Sequence, residues 1–103
     1  MGLPKKTGNG APSNFFKKVT VSSATFTATS DIVISFSTQG LMMLNEGTGV
    51  IEYSFNGVTV HGELDPALPN KGVAMDNIRV CPIWFRLKSG STSVVSTTAW
   101  SIP

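Results

Sequence analysis

The stretch Val50–Glu63, VIEYSFNGVTVHGE, decides how this chain is read. Two alternating runs flank Asn56-Gly57. An Asn-Gly pair favours a two-residue type I′ turn, because both central positions need positive φ and these residue types tolerate it best. Fixing the turn fixes the register. Phe55 then faces Val58, Tyr53 faces Val60 and Ile51 faces Gly62. On the other face Ser54 meets Thr59 and Glu52 meets His61. One face is apolar and the other polar, with only Val50 opposite Glu63 out of place. A one-residue slip would destroy that sorting. The stretch therefore predicts a β-hairpin whose apolar face receives the rest of the chain.

Upstream, Asn14–Val21 begins β structure with Phe15, Phe16, Val19 and Val21. Ala24–Thr29 sets Ala24, Phe26 and Ala28 against three threonines, the pattern of a half-buried strand. Asp31–Ser37, DIVISFS, is a stronger strand with Ile32, Ile34 and Phe36 on one side. Leu41–Leu44, LMML, lies between turn signals and reads as a short strand with its methionines as core filler; a short helical turn is the alternative. Downstream, Leu64–Gly72, LDPALPNKG, is an exposed, ordered loop. Val73–Met75 is a brief extended piece. Ile78–Lys88, IRVCPIWFRLK, is the most apolar segment. It turns Cys81, Ile83, Phe85 and Leu87 inward and Trp84 and Arg86 outward. Pro82 cannot donate to a ladder, so it marks an edge or a bulge. Ser93–Trp100 is the last strand.

About eight short strands with no helix-period segment predict an all-β fold. It is a single-domain antiparallel β-sandwich, jelly-roll-like, over residues 14–103; a small closed barrel is the alternative. Residues 1–13, MGLPKKTGNGAPS, hold three glycines, two prolines and two lysines with almost nothing to bury. They read as a flexible N-terminal arm, either a loose terminus or a segment that orders on a neighbouring subunit.

Composition narrows the function. Apolar residues make up 41% of the chain and charged residues only 14%, so Ser, Thr, Asn and Gly must cover much of the surface. An ordinary low-charge β-domain and a protein clothed by neighbours both have this composition. Net charge is +2 and the basic residues form no patch, which argues against specific nucleic-acid binding. Cys81 is the only cysteine, which excludes an internal disulfide and points to assembly in a reducing cytosol. No apolar run approaches the roughly 20 residues of a membrane helix, and the N-terminus lacks a signal-peptide core.

Residues with catalytic potential are sparse. His61 is the single histidine, too few for the usual zinc site, and the expected register gives it a surface pairing with Glu52. The carboxylates Asp31, Glu46, Glu52, Glu63, Asp65 and Asp76 form no spaced pair, and Glu63 with Asp65 lacks the glycine-punctuated acidic loop of a calcium site. No P-loop, GxSxG, HExxH or GxGxxG occurs. The expectation is a non-enzyme without cofactor or metal. Trp84 and Trp100 suit either a sugar platform or a protein interface, and the interface is favoured.

The segments SFSTQGLMMLNEGTGVIEYSFNGVTVHGELDP and IWFRLKSGS, followed by the terminal AW, resemble small all-β bacteriophage virion proteins. The resemblance covers roughly Ile34 to Trp100 and carries over no catalytic residue. It implies a non-enzymatic structural protein of the capsid, neck or tail. The preferred role is a capsid decoration (cement) protein that bridges major capsid subunits on a virion assembled in the host cytoplasm. A ring-forming neck or tail component is one alternative, and a carbohydrate-binding module of a host-recognition device is another. The expected partners are the major capsid protein or other virion proteins and further copies of the chain, with a trimer as the first expectation. Neither nucleic acid nor membrane is expected as a partner. Candidate contact residues are Leu3, Pro4, Lys5 and Lys6 in the arm, Pro66, Leu68 and Pro69 in the loop, and Trp84 and Trp100.

Overall fold

The computed structural model describes residues 13–36, 38–67, 71–76 and 82–101. The arm up to Pro12, Leu68, Pro69, Cys81 and the preceding Ile78–Val80 lie outside the described residues. Eight strands follow one another: β1 (Ser13–Val21), β2 (Ile32–Val33), β3 (Gly40–Asn45), β4 (Val50–Ser54), β5 (Gly62–Leu64), β6 (Gly72–Asp76), β7 (Pro82–Ser89) and β8 (Ser93–Ser101). They form two four-stranded sheets, ordered β1-β8-β3-β6 and β2-β7-β4-β5, and the pairings are antiparallel. The chain crosses from one sheet to the other at each connection except β4 to β5. That wrapping, with the first strand beside the last, is the jelly-roll order.

Period-two alternation puts one side of each strand into the space between the sheets. Leu41, Met43, Val95 and Ala99 enter from the first sheet. Ile51, Tyr53, Leu64, Ile83, Phe85 and Leu87 enter from the second. Burying a large aliphatic or aromatic side chain is worth about 1.5–3 kcal/mol, so these residues dominate the fold's stability. Met43 fills the core as expected, whereas Met42 faces out. Ile83, Phe85 and Leu87 are the inner set of β7, as the alternation predicts.

Asn45 clasps the two sheets at one end. Its Nδ2 donates to the carbonyls of Gly49 (2.7 Å) and Leu64 (2.9 Å). Its Oδ1 accepts from the Gly47 amide (3.1 Å) and the Ser93 hydroxyl (2.6 Å). All the bonding capacity of a buried amide is used.

The hairpin forms, but in a different register. Tyr53 is opposite Gly62, Glu52 opposite Glu63 and Ile51 opposite Leu64. The two-residue shift keeps every strand residue on its expected face. It replaces the tight turn by a loop, Phe55–His61, and leaves Val58 and Val60 exposed rather than in the core. Two causes are visible. A side chain at residue 62 would collide with the Tyr53 phenol, so the buried ring needs a glycine opposite. Local side chains also take the amides a tight hairpin would have used. The Ser54 hydroxyl accepts from Asn56 and Gly57 (3.2 and 2.9 Å), Asn56 Oδ1 from Val58 and Thr59 (2.9 and 2.8 Å), and His61 Nδ1 from Phe55 (3.0 Å). Gly57 does take positive φ, at 77°.

Ala24–Thr29 is not a strand. The Ser23 hydroxyl donates to the Thr25 carbonyl (2.9 Å) and accepts from the Thr25 amide (3.1 Å), and the Thr27 hydroxyl donates to the Thr29 carbonyl (2.7 Å), which competes with a ladder. The DIVISFS strand is only two residues long, Ile32–Val33, and the Asp31 side chain ends it on the N-terminal side. Its Oδ2 accepts from the Phe85 amide (2.8 Å), its own amide donates to the Ile83 carbonyl (2.9 Å), and the Ser23 carbonyl accepts from the Leu87 amide (2.8 Å). Pro82 pairs only with Val33 of β2, beyond the last β4 partner at Trp84. It is the first residue of β7, an interior strand of its sheet, and that is a position where a missing donor is tolerated.

Candidate assembly surfaces

The two outer faces of the sandwich differ in chemistry. On the β2-β7-β4-β5 sheet, Glu52 and Glu63 are cross-strand partners, a like-charge pairing that would be unfavourable alone. Cations on β7 neutralise both. Arg86 Nε donates to Glu52 (2.8 Å) and Lys88 Nζ to Glu63 (2.7 Å). The Glu63 hydrogen bond, then its charge, raises the Lys88 pKa above its ordinary value. Arg86 also lies 4.6 Å from the centre of the Phe26 ring, a cation–π contact that fixes the Ser23–Thr29 segment against the sheet. This face is solvated and ion-paired. Glu52 stands opposite Glu63 and is engaged by Arg86, so the expected Glu52–His61 cross-strand pair does not form.

The β1-β8-β3-β6 sheet carries Lys18, Glu46 and Asp76 around a middle row that holds no charge. Three rows of cross-strand partners traverse it. They are Asn14–Trp100–Gly40–Asp76, Phe16–Thr98–Met42–Ala74 and Lys18–Ser96–Leu44–Gly72. Lys18 is paired with Glu46 (3.2 Å). Phe16 at one edge is 62% exposed and Met42 46% exposed. At the other edge an apolar groove of ≈ 230 Å³ is lined by Met42, Met43, Leu44, Gly72, Val73 and Ala74.

Trp84 and Trp100 lie on opposite outer faces and share no platform. Each lies over a glycine, Trp84 over Gly57 and Trp100 over Gly40, and each is half-buried. Pro66 is half-buried in a turn where the Ala67 amide donates to the Asp65 carboxylate (3.0 Å). The remaining candidate contacts, Leu3, Pro4, Lys5, Lys6, Leu68 and Pro69, are outside the described residues. Among the described residues, no group of three or more His, Cys, Asp or Glu side chains is arranged to hold a metal ion. No helix of the described chain is long and apolar enough to cross a membrane.

The Phe16–Met42–Ala74 row went unnoticed in the sequence. The alternation in Asn14–Val21 and the LMML run carried its signal, but the neighbour relations exist only once the strand order is known.

No protein-family model matches the chain, and no curated protein matches it. Among solved structures it is similar to a chain from Bacillus endospore appendages, described as "a novel family of disulfide-linked pili". Identity is 15% over 99% of this chain and 98% of that one, with a TM-score of 0.45. At that similarity the likeness carries no argument about this protein.

Proposed function

We propose that this chain is a non-enzymatic structural protein of a bacteriophage virion, of the capsid-decoration type, bridging neighbouring shell subunits. The observation behind the reading is the asymmetry of the sandwich. One sheet offers water two ion pairs, Arg86–Glu52 and Lys88–Glu63, and the other has an uncharged middle row, Phe16–Thr98–Met42–Ala74, with Lys18–Glu46 to one side and Asp76 to the other. Such a face suits contact with protein better than chemistry on a small molecule. The sequence resemblance to small virion proteins supplies the kind of particle. Fold alone would not, because jelly rolls host unrelated functions. Weak individual contacts suffice when a regular shell repeats them many times.

The test is the copy number of this chain on purified particles, by quantitative mass spectrometry against the major shell protein. A stoichiometry comparable to the shell protein is expected. Enough copies for a single ring would move the chain to the neck or tail, and absence from particles would overturn the reading.

A further inference from the structure

We propose that copies of this chain join edge to edge through the β1-β8-β3-β6 sheet, β6 of one copy pairing antiparallel with β1 of the next. The proposal goes beyond the virion reading and does not depend on it. Among the described residues no strand lies outside β1 or outside β6, so both are edges of this sheet.

Strand direction permits the contact. β1 is antiparallel to β8, β8 to β3, and β3 to β6, so β1 and β6 run in opposite directions. A second copy placed beside the first without being turned over therefore brings its β1 antiparallel to β6. Such pairing satisfies backbone groups that an edge leaves open.

Side chains pick the register. Continuing the three rows straight across the junction sets Ala74 opposite the next copy's Phe16, Asp76 opposite its Asn14 and Gly72 opposite its Lys18. On the inner face Met75 then meets Phe15, and both are half-buried at the rim of the core. Phe16 arrives at the groove bounded by Met42, Leu44 and Ala74, an exposed aromatic ring beside an open apolar recess in the same row. The two lysines on β1 leave the junction free. Lys18 is held by Glu46, and Lys17 donates to the Asp31 carbonyl (3.3 Å). The contact uses different patches on the two copies, so it closes a ring if the rotation per copy allows and otherwise continues as a filament.

The test uses the full chain with Cys81→Ser, so that introduced thiols are the only ones. Asn14→Cys and Asp76→Cys are made as separate proteins and oxidised alone and mixed. Directly opposed antiparallel residues have Cα atoms about 4.5–5.5 Å apart, within disulfide reach. A disulfide-linked heterodimer from the mixture, with neither protein cross-linking alone, is expected. Equal cross-linking of either protein alone, or none in the mixture, overturns the proposal. In the otherwise unaltered chain, Phe16→Asp should reduce the mass in light scattering to the 10.9 kDa of one chain while the melting temperature is kept. Val33→Asp, at a similarly exposed apolar residue on the other sheet, should leave the assembly intact. Should Phe16→Asp fail to fold, Ala74→Arg reads the same junction from its other side. Assembly that survives these substitutions, or a parent chain that stays monomeric at all concentrations, overturns the proposal. Copy number on particles is independent of these outcomes, so the two readings fail separately.

Discussion

The Ser93 hydroxyl donates to Oδ1 of Asn45 at 2.6 Å, and both residues are buried. This bond belongs to the clasp that joins β3, β5 and β8 across the sandwich. Asn45→Ala removes four hydrogen bonds and leaves the Gly47 amide, the Gly49 and Leu64 carbonyls and the Ser93 hydroxyl without their partner. An expected loss of about 3 kcal/mol, read by urea denaturation, follows from the cost of orphaned buried polar groups. Ser93→Ala removes one bond and should cost about 1 kcal/mol. Equal losses for the two would show that Asn45 acts through packing alone.

Gly57→Val should destabilise the fold by about 1 kcal/mol or more, since a β-branched residue fits poorly at positive φ. Here φ is 77°, and a Cβ would approach the Trp84 ring to 2.9 Å. The variant should also change Trp84 fluorescence. A melt and an emission spectrum matching the parent would remove Gly57 from both roles.

Thr97 is fully buried on β8, and among the described residues its hydroxyl has no hydrogen-bond partner. Thr97→Val keeps the shape and deletes the orphaned group, so stability should rise by about 1 kcal/mol. A lower melting temperature would mean that the hydroxyl is satisfied in solution.

Alkaline stability should fall for two identifiable reasons. Burial raises the Tyr53 pKa above 10.0, and Glu63 raises that of Lys88 above 10.5. A pKa raised by folding adds stability that is complete below the unfolded value and lost as pH rises through the folded one. The decline should therefore begin near pH 10, where the unfolded phenol starts to ionise. Tyr53→Phe should flatten part of it and Glu63→Gln a smaller part, in denaturation midpoints followed from neutral to strongly alkaline pH.

Most strands were legible in the sequence: β1, β4, β7 and β8 from their apolar patterns, β3 as the short LMML run between turn signals, and β6 as the brief extended piece Val73–Met75. Inner and outer residues of β7 could be told apart because Ile83, Phe85 and Leu87 alternate with Trp84 and Arg86. Asn56-Gly57 misled because Ser54, Asn56 and His61 carry hydrogen-bonding side chains that hold a wider loop, and the demand of Tyr53 for Gly62 is a tertiary constraint. The Ala24–Thr29 alternation misled similarly, since hydroxyls able to support a strand face are equally able to bond their own backbone. The uncharged middle row was foreshadowed by composition, but which residues share it depends on the strand order. Trp84 and Trp100 look alike in sequence and lie on opposite faces.

Asp31 has a geometric consequence for anything this protein builds. With its carboxylate on the Phe85 amide and Ser23 on the Leu87 amide, the flank of β7 beyond β2 is already occupied by its own chain. It cannot serve as a template for another strand. Copies that join through the other sheet gain no second direction of growth along that flank. Copies joined through β1 and β6 alone would form a row or a closed hoop whose length or circumference is set by the twist between neighbours.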